Sequence, residues 1–348
     1  MWFITLIALI LILGLLVLVH EFGHFIFAKK SGVFIYEFSI GMGPLLFKKI
    51  GKDNIQYSIR AFPIGGYVQM AGEVSEDDKK VPKDKFMCNK TALQRFLILV
   101  AGVTFNFILA FVLLFISALI WGSSSIDPIV GAVSKDYPAY KAGVEKGDRI
   151  LAINGESVNT WDKTQILLNL KNKSEYYTFK IEKINGNIKT YKIKPKTEKN
   201  EDGERKVFGI GVDTTREYGF VAALKYAFSK FGSVINSMYI TIISLFTGNL
   251  SLNALSGPVG IYGVVGQSLA VGIQQIIYLI AFLSINLGFI NILPFPAFDG
   301  GRILFLIIEK IKGSPVKPEV ENIFHTVGFV LLMILMLYIT LQDIIKLF

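Results

Sequence analysis

The chain has 348 residues, of which 52% are hydrophobic, and its mean hydropathy is +0.50. This composition excludes an ordinary soluble globular protein and indicates several membrane spans. The net charge is +9, but the Lys and Arg residues are scattered and form no DNA-binding pattern, so we expect no nucleic-acid partner. Cys88 is the single cysteine, which excludes an internal disulfide and a cysteine-based metal site.

Four segments are long and apolar enough to cross a bilayer as helices: residues 2–24, 96–121, 270–293 and 323–341. The first lacks the basic start and the small-residue cleavage site of a signal peptide, so we interpret it as a retained transmembrane helix. The sequence therefore predicts a polytopic α-helical membrane protein with four transmembrane helices, embedded in a lipid bilayer.

Basic residues set the expected orientation of these spans. The loop between residues 29 and 95 is rich in Lys and Arg, and the loop between residues 293 and 323 carries several more. The positive-inside rule places both loops in the cytoplasm. Residues 123–269 are then expected on the outer side of the membrane.

Two stretches between the spans have strand patterns. Residues 33–75 contain IQYSIRAFPIGGYVQM, whose alternation predicts a cytoplasmic β element. Residues 125–215 are polar, with short alternating runs, a hairpin signal at Asn154-Gly155 and the charged hairpin tip KTEKNEDGERK. We therefore divide the chain into an N-terminal membrane core (1–122), an outer α+β domain (125–215), a connecting segment (216–269) and a C-terminal membrane core (270–348).

Polar residues interrupt the end of the first predicted span, in LVLVHEFGHFIF (residues 16–27). Polar groups at membrane depth are costly and are usually functional. On a helix, His20 and His24 lie one turn apart on one face, so both imidazoles can bind one metal ion. Glu21 lies beside them, within reach of a water on the metal. This H-E-x-x-H arrangement is typical of zinc peptidases; the alternative is a pair of histidines that hydrogen-bond to partner helices.

A catalytic zinc ion needs a third protein ligand and an open position. His325 is one candidate, although its isolated place at the start of the last span favours an interfacial role. Asp299 is the better candidate, because it follows Pro294 and Pro296, which break a helix, and precedes two glycines that allow close backbone approach. The alternative is an aspartate that caps the start of a helix.

These motifs closely resemble those of the site-2 protease family of intramembrane zinc metalloproteases. The family combines H-E-x-x-H with N-x-x-P-x-P-x-L-D-G; this chain has HEFGH and NLGFINILPFPAFDGGR, with Phe298 in the Leu position. FSIGMGP and RAFPIGGYVQMAGE are similar to the bacterial RseP/RasP-like branch, and AYKAGVEKGDRILAINGESV is similar to its PDZ domain, present here in one copy. The resemblance implies a membrane-associated β element and an inserted extracytoplasmic PDZ domain.

The resemblance implies one Zn²⁺ ion per chain, with His20, His24 and Asp299 as its ligands and Glu21 as the catalytic base. It also implies that Asn286 and Asn291 border the cleft and bind substrate backbone, although helix–helix hydrogen bonding is an open alternative. The β element would capture an unwound substrate by strand addition, and an ordinary cytoplasmic hairpin is its alternative. In this β element, the residues expected to bind the substrate are Gly65, Gly66 and Tyr67.

The three ligands must lie at the same membrane depth, and this requirement predicts the topology of residues 216–269. The first span brings the histidines to the inner side, the second goes out, and one further span must return Asp299. We therefore predict that 216–269 is an amphipathic interfacial or re-entrant segment on the outer face. Within it, the Gly-rich stretch LSGPVGIYGVVG (255–266) is expected to be a loop near the membrane.

The substrates implied by the resemblance are single-span membrane proteins, such as anti-sigma factors or remnant signal peptides, first shortened by an upstream site-1-type protease. The implied place is the bacterial cytoplasmic membrane, with the active site near its cytoplasmic side. A membrane zinc carrier or channel is a rival class, and it predicts metal-binding residues along several spans. A catalytically silent scaffold is a second rival, which the complete ligand set and Glu21 disfavour.

Overall fold

The computed structural model describes residues 2–72, 81–170, 175–200, 203–314, 316 and 318–346. Its helices are, in chain order, α1 (Trp2–Lys30), α2 (Ala92–Trp121), α3 (Pro138–Lys141), α4 (Trp161–Asn169), α5 (Phe220–Phe246), α6 (Pro258–Val271), α7 (Ile273–Ile292), α8 (Asp299–Lys312) and α9 (Pro318–Ile345). Its strands are β1 (Ile35–Ile50), β2 (Gln56–Met70), β3 (Ser123–Ser124), β4 (Val130–Val133), β5 (Arg149–Ile153), β6 (Glu156–Ser157), β7 (Tyr177–Glu182), β8 (Ile188–Ile193), β9 (Lys196–Asn200), β10 (Gly203–Val207), β11 (Ile210–Val212) and β12 (Arg216–Glu217). Two compact units divide the chain: residues 1–110 with 261–337, and residues 111–260 with 338–348.

Helix α1 belongs to the first unit and carries one continuous buried face. Most of the buried positions recur every three or four residues, which is the spacing of one side of a helix; the buried residues are Thr5, Leu9, Ile12, Leu16, His20, Gly23, His24, Phe25 and Ala28. The helix ends at Lys30, and Gly32 adopts a left-handed φ of 68° just after it, as helix C-termini commonly require. The predicted histidines therefore lie on the face of α1 that packs against the protein.

The predicted β element is present in the first unit. Strands β1 and β2 pair antiparallel over most of their length, and they curl so that residues 37–40 contact both 66–69 and 56–59. The far end of the element exposes large apolar side chains, among them Leu46, Phe47 and Phe62. Such an exposed apolar patch is typical of a membrane or protein contact. Residues 73–75 of the predicted range lie outside the described residues.

The predicted α+β domain is also present, in the second unit. A four-stranded sheet has the order β6-β5-β7-β8, and its core includes the fully buried side chains of Ile150, Tyr177, Phe179 and Ile181. Asn154 and Gly155 both have positive φ, 52° and 88°, so they form the predicted two-residue turn between β5 and β6. The stretch 196–206, predicted to be a charged loop at a hairpin tip, instead forms most of the hairpin itself, because β9 and β10 pair along it; residues 201–202 lie outside the described residues.

Helix α5 has two different faces. It buries small residues such as Ala223, Ala227 and Ser233, and it exposes Phe228 and Phe246. This is the amphipathic helix that the sequence predicts. Whether it lies at the interface or enters the membrane stays a prediction.

In the described part of the chain, five helical segments are long and apolar enough to cross a membrane: Trp2–Lys30, Ala92–Trp121, Leu252–Val271, Ile273–Ile292 and Glu319–Ile345. Four of them correspond to the predicted spans. Three extend beyond the predicted ends by a few residues, whereas Ile273–Ile292 is slightly shorter than the predicted 270–293. The additional segment, Leu252–Val271, contains the stretch expected to be a Gly-rich loop. The sequence therefore predicts several apolar helices correctly, but the structure offers one more candidate than the four expected.

The prediction of a loop at 255–266 is wrong from Pro258 onward, because α6 begins at that residue. Proline suits the first turn of a helix, where its missing N–H needs no partner. The carboxylate Oδ2 of Asp343 accepts hydrogen bonds from the backbone N–H groups of Gly257 (2.7 Å) and Gly260 (2.8 Å). This tertiary cap stabilises a helix start that the glycines disfavour, and sequence spacing could not reveal a partner so distant in the chain.

Candidate metal centre

The buried face of α1 brings two imidazoles together. His20 and His24 are each 7% exposed, and their Nε2 atoms are 3.1 Å apart. The rings pack edge to face with centroids 4.7 Å apart. This convergence follows from the i, i+4 spacing on a helix.

Asp299, the first residue of α8, completes a cluster of three possible ligands. Its Oδ2 lies 3.0 Å from His20 Nε2 and 3.3 Å from His24 Nε2. Oδ2 is buried, and neither contact is a well-aligned hydrogen bond. Within the described residues, this is the one group of three or more His, Cys, Asp or Glu side chains whose ligand atoms converge.

The donor set fits a zinc ion. Zinc bonds to imidazole nitrogen and carboxylate oxygen are about 2.0–2.1 Å long, which places neighbouring ligands of a tetrahedral ion roughly 3.4 Å apart. The three observed separations of 3.0, 3.1 and 3.3 Å are close to that spacing. A buried carboxylate oxygen without a protein hydrogen bond is satisfied by such an ion. His20, His24 and Asp299 are therefore the residues that would hold it.

The outer nitrogens of both imidazoles face α2. His24 Nδ1–H donates to the Ile98 carbonyl at 2.8 Å, which leaves Nε2 with a free lone pair for a metal. His20 Nδ1 lies 3.2 Å from the side-chain amide of Asn106, a residue that is completely buried. Ligation through Nε2 puts the proton of His20 on Nδ1, so the Asn106 group that faces it must be an acceptor, and we assign the amide oxygen to that side. Both histidines are thus oriented for Nε2 ligation.

Two glycines let α1 and α2 approach closely beside the ligands. A Cβ on Gly102 would lie 2.5 Å from His24 Nε2 and 2.8 Å from His20 Nε2. A Cβ on Gly23 would lie 2.4 Å from the Ala101 carbonyl oxygen. Gly102 and Asn106 were not predicted as site residues. Both lie in the stretch AGVTFN (101–106), which matches the family pattern A-G-P-x-x-N except for Val103.

The turn between α7 and α8 places Asp299. Pro294 and Pro296 interrupt the helix, and Ala297 adopts a left-handed φ of 75°, which costs a non-glycine residue about 1–2 kcal/mol. A Cβ on Gly300 would lie 2.1 Å from the Leu293 carbonyl oxygen. Gly300 therefore allows α8 to start directly against the end of α7.

A cavity of about 230 Å³ opens at the ligands. Glu21, His24, Asp299 and Arg302 form its polar part, and Val68 is among its apolar residues. The Glu21 carboxylate lies near the backbone of Val68. Strand β2 thus borders the same space as the ligands and the expected base.

Gly65, Gly66 and Tyr67 precede Val68 in β2 but are not among the residues that line this cavity. Gly65 has a left-handed φ of 76°, and a Cβ on Gly66 would lie 2.4 Å from the Ser39 carbonyl oxygen. The Tyr67 ring stacks under the Arg60 guanidinium at 5.3 Å, on the side of the strand opposite Val68. The two glycines therefore serve close packing, and the expected substrate role of all three stays a prediction.

A buried ionic network fixes the strand that carries Tyr67. Glu37 accepts hydrogen bonds from Ser58 and from Arg60, whose Nη2 is 2.9 Å from Oε1. Burial raises the pKa of the Glu37 carboxyl, but the hydrogen bonds from Ser58, Arg60 and Tyr67 outweigh it and lower that pKa. Burial and the hydrogen bond to Glu37 raise the pKa of Tyr67 to about 12. Glu37 is therefore ionised and Tyr67 neutral at physiological pH.

The remaining predicted residues are not brought into the ligand cluster. Asn286 lies on α7 with its Oδ1 buried and without a hydrogen bond, and Asn291 lies near the end of the same helix. Their substrate-binding role stays a prediction. His325 lies on α9, where its Nδ1 accepts a hydrogen bond from the Ala297 backbone N–H at 3.1 Å. Asp299, and not His325, therefore completes the cluster.

Known proteins resemble the chain over almost its whole length. The model of peptidase family M50 matches residues 8–335. A candidate zinc metalloprotease of Clostridium acetobutylicum is 38% identical over 345 residues, covering 99% of this chain and 98% of its own. Zinc metalloprotease RasP of Shouchella clausii is 35% identical over 420 residues, and regulator of sigma-W protease RasP of Bacillus subtilis is 33% identical over 423, each covering 99% of both chains.

The apolar helices and the family match together make the chain a multi-pass membrane protein. Its three clustered ligands are of the kinds that zinc proteases use, and its relatives carry that activity in their names. The chain belongs to peptidase family M50, the site-2 type of zinc metalloprotease.

Proposed function

We propose that this protease cleaves the transmembrane segments of single-span membrane proteins, near the cytoplasmic side of the bilayer. The observation that carries the proposal is the position of the ligand cluster. His20, His24 and Asp299 meet beside Glu21, and the two histidines lie within a helix that is apolar enough to span a membrane. A hydrolytic site at that depth suits a substrate that is itself embedded in lipid.

Zinc, when bound, polarises a carbonyl group and makes water more acidic. Glu21 is one residue from a ligand, and its carboxylate borders the cavity without belonging to the ligand cluster. We assign Glu21 as the general base that takes a proton from the attacking water and delivers it to the leaving amine. The neighbouring backbone of Val68 supports that position of the carboxylate.

A transmembrane helix hides its scissile carbonyls in its own hydrogen bonds, so the substrate must unwind locally. Residues Val68 and Met70 of β2 border the cavity, which supports capture of the unwound segment alongside β2. Asn286 and Asn291 are proposed to bind substrate backbone, together with the Gly65–Tyr67 stretch. The Oδ1 of Asn286 has no hydrogen-bond partner among the described residues, which supports this role.

The proposed substrates are anti-sigma factors or remnant signal peptides that another protease has first shortened. The relative from Bacillus subtilis is named as a regulator of sigma-W, which supports the first class. We also propose that the chain has four spans in the bacterial cytoplasmic membrane, with 216–269 on the outer face. The basic residues between α1 and α2 and those within α8 support this orientation.

We propose that residues 125–215 are a PDZ domain that selects or sterically limits substrates outside the membrane. A groove of about 210 Å³ lies between α4 and the segment 206–210 and is lined by Thr164, Leu168 and Phe208. A groove between a helix and a strand can accept a peptide end or an added strand. Deleting the domain should change which substrates are cut but preserve zinc binding; loss of zinc from the deletion variant would argue against a separate selecting role.

The test of the function uses purified protein in lipid vesicles with a fluorescent single-span substrate whose ectodomain is already removed. We expect cuts within the membrane segment, nearer its cytoplasmic end, and mass spectrometry of both products locates them. The control is the same substrate with its intact ectodomain, which should be cut more slowly. Cuts confined to residues outside the membrane segment would contradict the proposal. A zinc carrier would instead move metal across the vesicle without cutting the substrate.

A further inference from the structure

His325 contacts the loop that carries the third ligand. The imidazole belongs to α9, and its Nδ1 accepts the backbone N–H of Ala297 at 3.1 Å. Ala297 is two residues before Asp299 and lines the same cavity. The hydrogen bond therefore connects the last apolar helix to the segment that positions a ligand.

This hydrogen bond specifies one form of the imidazole. A nitrogen that accepts a hydrogen bond carries no proton, so the proton of the neutral ring is on Nε2. That Nε2 is buried and makes no hydrogen bond, and Glu321 Oε1 is 3.9 Å away, beyond hydrogen-bonding distance. Among the described residues, the ring has one hydrogen bond, the one to the loop, and this points to anchoring of the loop as its role.

The loop has particular need of an anchor. Pro294 and Pro296 have no N–H to donate, and Ala297 is held at a left-handed φ of 75°. A conformation of this kind persists when its surroundings fix it. Anchoring Ala297 N–H fixes the backbone immediately before Asp299.

The steric fit around the contact is equally close. A Cβ on Gly328, one turn along α9 from His325, would lie 1.9 Å from the Pro296 Cβ. A Cβ on Gly301 would lie 3.4 Å from His325 Cε1. The loop is thus pressed against the face of α9 that carries the imidazole, with glycine where bulk would separate them.

We propose that His325 is a positioning residue that accepts Ala297 N–H and thereby holds Asp299 at the zinc-binding distance from His20 and His24. The inference rests on the proposed function insofar as Asp299 is the third zinc ligand. It makes α9 part of the metal centre, although α9 contributes no ligand to the cluster.

Two amide variants test the role of the Nδ1 acceptor. Asparagine places its oxygen close to the position of Nδ1, whereas glutamine places its oxygen near that of Nε2. We expect H325N to keep wild-type zinc affinity and H325Q to lose about 10-fold, the lower end of the effect of removing an outer-shell partner. The readouts are chelator competition for zinc in detergent-purified full-length protein and the visible absorption bands of the cobalt-substituted form, both independent of cleavage.

Phe324→Leu is the matched control, because Phe324 packs on Phe305 and against the edge of the His325 ring but has no hydrogen-bonding group to offer the loop. It should leave zinc affinity unchanged. Equal affinities for H325N and H325Q, or an equal loss in F324L and H325Q, would overturn the proposal. Asp299→Ala distinguishes failure of the ligand set from failure of the role of His325. If Asp299→Ala binds zinc as tightly as the wild type, the proposed ligand set is wrong. If Asp299→Ala loses zinc while H325Q does not, only the proposed role of His325 is wrong.

Discussion

The two halves of the metal centre are built in opposite ways. His20 and His24 are held by the geometry of one unbroken helix, and their outer nitrogens face groups of α2. Asp299 follows a turn with two prolines and a left-handed alanine, and its position depends on contacts from other elements. The helical half is set by local spacing, whereas the loop half is set by tertiary contacts. Variants can distinguish these two kinds of support.

The largest expected effect is loss of the metal when either half loses its ligand. We expect His20→Ala and Asp299→Ala to leave the purified protein essentially without zinc, because two remaining ligands bind the ion too weakly. Cleavage of a single-span substrate should be lost in parallel. The measurement is zinc content per chain by elemental analysis. Full retention by Asp299→Ala would remove it from the ligand set and leave only the helical half in place.

A smaller effect is expected from crowding the helical half. Gly102→Ala places a methyl group about 2.5 Å from His24 Nε2, so the imidazoles must shift and zinc affinity should fall by about 100-fold. Gly263→Ala is the matched control, since a Cβ there meets no atom within 4 Å. Chelator competition compares the two variants. Wild-type affinity in Gly102→Ala would show that α1 and α2 separate easily, contrary to a rigid helical half.

The smallest effect is expected when only the orientation of one imidazole is loosened. Asn106→Leu keeps the approximate volume but removes the acceptor for His20 Nδ1–H, and zinc affinity should fall by about 10-fold. Asn106→Asp retains an acceptor at the same place and should bind zinc at least as tightly as Asn106→Leu. The pair is compared by zinc titration. Equal affinity in wild type and Asn106→Leu would mean that helix geometry alone orients His20.

The same contrast explains what the sequence could predict. The spacing of His20 and His24 and the apolar periodicity of α1 are local features, so the helix and the convergence of its imidazoles followed from them. The β element and the Asn154-Gly155 turn were likewise visible in short stretches. These elements depend on neighbours within a few residues.

The features that the sequence did not predict depend on distant neighbours. Gly102 and Asn106 matter because α2 packs beside α1, and nothing in their own stretch shows which helix they meet. The sequence predicts a loop where α6 forms, because the cap that stabilises the start of this helix comes from Asp343, far along the chain. The sequence offers His325 as a possible ligand, whereas the folded turn shows that His325 instead accepts a hydrogen bond from the Ala297 backbone.

The most direct test of the central claim is a joint measurement of zinc content and cleavage in Glu21→Gln. The side chain keeps its shape but cannot accept a proton from water, and loss of a general base costs about two to four orders of magnitude in rate. We predict that the variant retains about one zinc per chain, still co-purifies with uncut single-span substrate, and cuts it at no more than about one-hundredth of the wild-type rate. Cleavage by Glu21→Gln at the wild-type rate would contradict the assignment of the proton transfer to Glu21. Loss of zinc from this variant would contradict the assignment of the metal to His20, His24 and Asp299 alone.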